Sequence, residues 1–214
     1  MTIAIKKINP LCYLLPSFVL FFYTILHELS HALIAKMYGG NITLLVVGLS
    51  GRVDQYGAYF SILGMSLYYI AGTILPLIVG FIVFFIYDAN NNSFNYHIGY
   101  ISLFIILTLA NFRWIYQALF LLFEVPPQDA DFIMFIEITQ MHPLIVFLLF
   151  MLLTFAIIFT AYKTGLVYKT KSLYLRIKKE LYINSINCLL RYFAFAITTI
   201  SVLSVFDELI IIYK

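Results

Sequence analysis

The sequence predicts an α-helical multi-pass membrane protein of about five transmembrane helices, with a small β-hairpin or re-entrant loop after the first. Three observations carry this. Only 11% of the 214 residues are charged while 63% are hydrophobic, against about 25% charged in soluble domains. The mean hydropathy is +0.98. Apolar runs of about 20 residues, the length that crosses a bilayer, recur along the chain between short polar breaks.

The elements follow in order as one membrane-embedded domain over residues 1–214. A short polar start with Lys6 and Lys7 leads into an apolar helix over 11–38, which Gly39 and Gly40 close, glycine being the usual residue past a helix end. Its front resembles a signal peptide but has no small-x-small cleavage site, so it reads as a retained helix. Residues 41–59 are β-branched (Ile42 to Val47) and then broken by Gly48, Gly51 and Gly57. They are too short and interrupted for a span and read as a β-hairpin or re-entrant loop. Its strand at 42–47 is expected to be an edge able to pair with an extended substrate segment.

Further spans are expected over 60–87, 98–123, 143–162 and 192–213. Gly64, Gly72 and Gly80, eight apart in the second span, cluster on one face, as small residues do where helices pack closely. Residues 163–191 form a basic loop, in part an amphipathic helix, carrying Lys163, Lys169, Lys171, Arg176, Lys178 and Lys179 against anionic lipid. The two basic stretches place the N-terminus and this loop in the cytoplasm of a cell membrane. The acidic loop at 124–142, with no Lys or Arg, lies outside.

Some classes are excluded. A formal net charge of +3 is too small to indicate nucleic-acid binding. Cys12 and Cys188 stand too far apart in sequence for a metal or disulfide pattern. Oligomeric state, substrate-binding residues and a regulator are not legible.

The chemistry concentrates in the first helix, at His27, Glu28 and His31, an H-E-x-x-H pattern. Residues four apart lie on one helix face, so the two imidazoles can grip one Zn²⁺, with Glu28 placed as a general base. A charged group near the bilayer centre costs on the order of 3 kcal/mol, and a bound cation offsets that cost. Two histidines leave zinc short of a ligand, since hydrolytic sites use three and an open position. The remaining acceptors are Asp54, Glu124, Asp129, Asp131 and Glu137, with His97 and His142. Asp129 is favoured because Pro126-Pro127 prevents regular helix just before it and can present its side chain inward. Asp131, facing differently, is the alternative.

These segments together resemble the site-two protease family of intramembrane zinc metallopeptidases, as a small divergent member. The resemblance spans roughly residues 22–132 and rests on HELSHALIAKMYGG at 27–40, AGTILP at 71–76 and PPQDAD at 126–131. It implies zinc on His27, His31 and Asp129, Glu28 as the catalytic base, and a β-hairpin that receives substrate. The implied activity is hydrolysis of peptide bonds in transmembrane protein substrates. Ala130 stands where the family has glycine. That departure motivates the alternative expectation, a catalytically silent zinc-containing membrane protein that binds or escorts a partner helix.

Overall fold

The structure, a computed structural model, describes residues 14–47, 51–183 and 210–212. Among them are six helices and three short strands, in the order α1 (Leu15–Met37), β1 (Asn41–Val46), β2 (Arg52–Tyr56), α2 (Ile62–Phe85), α3 (Phe94–Leu122), α4 (Ala130–Thr139), α5 (Pro143–Lys163), α6 (Leu166–Ile183) and β3 (Ile210–Ile212). Helices α1, α2, α3 and α5 are long and apolar enough to cross a membrane.

Local chemistry sets the boundaries. Pro16 lies in the first turn of α1, where a missing N–H costs nothing. The helix closes as its glycines require. Gly39 takes φ +80°, its N–H reaches the Lys36 carbonyl at 3.1 Å, and that of Gly40 reaches Ala35 at 2.9 Å. This is the left-handed closure that satisfies orphan carbonyls. Ser61 and Ser93 cap α2 and α3 by accepting from Gly64 and Tyr96. His142 caps α5 ahead of Pro143.

Strands β1 and β2 form the expected antiparallel hairpin, with an irregularity between Ile42 and Leu44. The strand order is β2-β1-β3. Ile210–Ile212 pairs antiparallel with Leu44–Val46, so among the described residues β1 is central and β2 and β3 are the edge strands. The expectation that 42–47 is the open edge is thereby corrected. Local β-propensity announces a strand but not the distant segment that occupies its second side.

Two further expectations change. The basic loop over 163–191 is largely helix, because Leu166–Ile183 forms α6 behind a turn at Gly165 with φ +80°. The fifth span over 192–213 falls mostly outside the described residues, and its described part, Ile210–Ile212, is strand.

Packing alternates the helices between two ends. Tyr38, at the end of α1, sits against Gly64 at the start of α2. At the opposite end, Lys169 of α6 donates to the Ala89 carbonyl in the turn before α3, at 3.3 Å. Helix α3 runs along α5 and α1 along α2. One apolar core joins Leu77, Phe84, Leu107 and Ile157 near the α6 end. The other joins Trp114, Phe132, Phe135 and Phe150 beneath α4. The three α2 glycines are all buried, and each admits a different neighbour: Tyr38 at Gly64, the two site histidines at Gly72, and Leu107 at Gly80. A side chain at any of these positions would fill space another residue already occupies.

Candidate metal centre

Helix α1 carries His27, Glu28 and His31 toward α2 and α4. One turn of separation brings the two imidazoles together, with Nε2 to Nε2 at 3.3 Å. The Asp131 Oδ2 lies 3.5 Å from each of these nitrogens. Three corners of a tetrahedron with arms of about 2.1 Å stand about 3.4 Å apart. The triangle therefore has the size of a ligand set, and His27, His31 and Asp131 form a group able to hold a metal ion.

A second interaction fixes how His31 presents itself. Its Nδ1 is 2.7 Å from the backbone carbonyl of Tyr68 on α2. A carbonyl only accepts, so Nδ1 carries the proton and Nε2 turns its lone pair to the triangle. Metal-bound histidines are commonly oriented in this way. The donor set, two imidazoles and a carboxylate with one His tautomer held from behind, suits a borderline-soft divalent ion.

The approach of α2 depends on Gly72. A Cβ there would fall 2.5 Å from both His27 Cε1 and His31 Nε2, closer than real side-chain carbons stand. Glu28 is buried beside the triangle, and a Cβ at Gly51, just before β2, would strike its carboxylate. Gly51 thus lies directly against the glutamate.

The sequence expectation gave the third ligand to Asp129; the structure places Asp131 there. Asp129 is the N-cap of α4. Its Oδ1 accepts from the N–H groups of Asp131 at 3.0 Å and Phe132 at 3.2 Å, and its Oδ2 pairs with Nε of Arg113. Both oxygens are committed. Two positions on, in the first turn, Asp131 faces the histidines. In the metal-free chain burial works against its charge, but the imidazoles of His27 and His31, when they carry a proton on the nitrogens facing it in place of an ion, outweigh that and hold its carboxyl below the usual carboxylate range.

Three of the other acceptors weighed from sequence are engaged elsewhere. His97 joins the Tyr87 hydroxyl at 2.9 Å and the Asn91 carbonyl at 2.7 Å. His142 caps α5, and Asp54 pairs with Arg52 at 2.9 Å. Sequence reasoning missed Tyr68, whose contribution is a backbone carbonyl and leaves no signal. It also gave no role to Arg113, although an arginine inside an apolar helix is itself a signal that a partner is needed.

The triangle opens into a cavity of about 480 Å³ lined by Tyr23, Glu28, Arg52, Tyr68 and Arg113 among others. A second cavity of about 240 Å³ shares His27, Arg113 and Asp131 and continues along apolar residues of α1 and α3, including Leu20, Ile106 and Leu109. The site is thus bordered by the polar hairpin on one side and by an apolar cleft on another. Comparison with protein-family models, curated proteins and solved structures found no match for this chain.

Proposed function

We propose that this chain is a zinc-dependent intramembrane peptidase that hydrolyses peptide bonds of membrane-embedded protein substrates. The observation that carries the proposal is the triangle of His27, His31 and Asp131 donor atoms at 3.3–3.5 Å, with buried Glu28 adjoining it. The H-E-x-x-H pattern and the resemblance to site-two proteases support the same reading.

His27, His31 and Asp131 would hold zinc, which when bound would supply Lewis acidity toward a scissile carbonyl and toward water. Glu28 takes a proton from the attacking water and delivers it to the leaving nitrogen. The Tyr68 carbonyl keeps His31 in the tautomer that leaves Nε2 free. A transmembrane helix must unwind before its peptide bonds are accessible, because its carbonyls are already hydrogen-bonded. The free edge of β2, whose first residues border the cavity, offers backbone partners to the unwound stretch. The apolar cleft between α1 and α3 suits a substrate arriving from lipid. The basic α6 end faces the cytoplasm of a cell membrane by the distribution of lysine and arginine, with the site nearer the opposite face.

The test is Glu28→Gln in the purified chain, with zinc content and cleavage of a transmembrane peptide measured together. Zinc is retained and cleavage is lost. Cleavage by the variant at the wild-type rate overturns the proposal, and a wild type that binds zinc but never cleaves favours the silent binder.

A further inference from the structure

We propose that Arg113 and Asp129 act as a positioning pair that sets Asp131 against the two histidines, with Gln117 holding the loop that leads to them. The inference rests on the metal reading above and assigns roles to three residues which that reading leaves without one.

The loop between α3 and α4 has little internal structure to hold it. Pro126 and Pro127 have no N–H to donate, and Glu124 leaves α3 with φ +60°. Its order comes from α3. Arg113 and Gln117 are four apart and share one helix face. The buried Gln117 offers Oε1 to the N–H of Gln128 at 2.7 Å. One turn earlier, Arg113 pairs through Nε with Asp129. Two side chains of one helix thus fix two successive loop residues.

Asp129 passes that constraint on. Its Oδ2 is held by Arg113, while its Oδ1 receives the N–H of Asp131 itself. The first turn of α4 is therefore oriented by a carboxylate that is anchored in its turn. Ser or Asn would suffice for capping alone, so an ion pair with an arginine inside an apolar helix exceeds what the cap needs. A buried carboxylate left without its cation is costly, and without Arg113 Asp129 turns away and takes the start of α4 with it. Asp131, two residues on, then leaves the triangle. Arg113 and Asp129 are positioning residues, acting on the ion only through Asp131.

The test uses the full chain purified in detergent, titrated with Zn²⁺ alone and, separately, with Co²⁺ alone, whose visible spectrum reports its ligands. Asp131→Asn alters the Co²⁺ spectrum at saturation. Asp129→Asn and Arg113→Gln each weaken Zn²⁺ binding by about 10–100-fold, the range typical of groups that orient metal ligands, while the saturated Co²⁺ spectrum stays that of the wild type. Combining the two changes costs no more than the larger alone, as expected of partners in one interaction. Arg113→Lys, which keeps the charge, restores most of the affinity, and Arg113→Met, which keeps the bulk without the charge, serves if Arg113→Gln does not fold. The inference is overturned if Asp129→Asn changes the Co²⁺ spectrum while Asp131→Asn preserves it, or if the folded variant that removes the Arg113 charge leaves Zn²⁺ affinity unaltered. A wild type that binds neither ion overturns the metal reading itself and takes this inference with it; binding by the wild type with the wrong order of variants overturns the inference alone.

Discussion

Gly72 lies against His31 so closely that the α2 backbone forms one wall of the candidate metal centre. A methyl group at this position would stand 2.5 Å from His31 Nε2 and equally near His27 Cε1. Within a helix, replacing glycine by alanine is otherwise favourable by about 1 kcal/mol. Gly72→Ala should therefore weaken zinc binding about tenfold or more, because both imidazoles must shift to make room, while the melting temperature of the metal-free chain falls only modestly, the helix gain offsetting part of the overpacking cost. Parallel thermal melts and zinc titrations separate the two effects. Unchanged zinc affinity would show that the histidines do not need this close approach.

Zinc should be a stabilising link if this group holds it. An ion at the triangle would join α1 to α4, two elements far apart in sequence, with the Tyr68 carbonyl of α2 behind His31. A ligand that binds only the folded state at a hundred times its dissociation constant contributes about 2.7 kcal/mol. Added zinc should raise the melting temperature and a chelator should lower it. The shift should vanish in Asp131→Asn and persist in His97→Ala, because His97 is engaged with Tyr87 and Asn91 away from the site. Loss of the shift in His97→Ala, with the shift retained in Asp131→Asn, would place the ion elsewhere.

Much of this arrangement is legible in the sequence, and the exceptions share a cause. The apolar runs and the glycines at 39 and 40 locate α1, and spans expected at 60–87, 98–123 and 143–162 appear as Ile62–Phe85, Phe94–Leu122 and Pro143–Lys163. The early start of α3 reflects Ser93, a capping residue inside a stretch that otherwise reads as a polar turn. These features are local. The partner of β1 is not, because three isoleucines near the other end of the chain supply it. Asp129 and Asp131 differ for a reason that is local but easily overlooked. An aspartate immediately before an apolar run is a helix-capping signal, and a carboxylate that caps is already engaged with backbone N–H groups. Read that way, PPQDAD gives the cap to Asp129 and frees Asp131. The tautomer of His31 has no such signal, since any residue at 68 carries a carbonyl.

The pH dependence of the metal-free chain has a definite sign. Burial opposes the charge of Asp131, but the facing imidazoles hold its carboxyl below the usual range. A carboxyl depressed by folding contributes stability that is fully present above its unfolded value, about 3.9, and is lost as pH falls through the folded value. With chelator present, wild type should melt above Asp131→Asn in mildly acidic solution, where an imidazolium can face the carboxylate, and the gap should close below about pH 4, where protonation of Asp131 begins to favour the unfolded chain. Paired melts between pH 3 and 7 measure it. A gap that keeps widening down to pH 3 would contradict this assignment.

The aromatic core under α4 should matter to the site as well as to stability. Trp114 stacks on Phe150 at 4.8 Å and meets Phe132 and Phe135 edge-on, each at 5.5 Å. Phe132 is the residue after Asp131, so this packing sets the seat of α4. Truncating a buried tryptophan to alanine typically costs about 3–5 kcal/mol, part of it from the cavity left behind. Phe84→Ala, in the core near α6, carries a similar cost without touching α4. Both variants should melt lower than wild type, but only Trp114→Ala should also bind zinc more weakly, because the emptied space lets Phe132 and its neighbour Asp131 shift. Zinc titration well below each melting temperature distinguishes them. Equal zinc affinity in the two variants would mean that Asp131 is held from its capped end alone and owes nothing to the core beneath it.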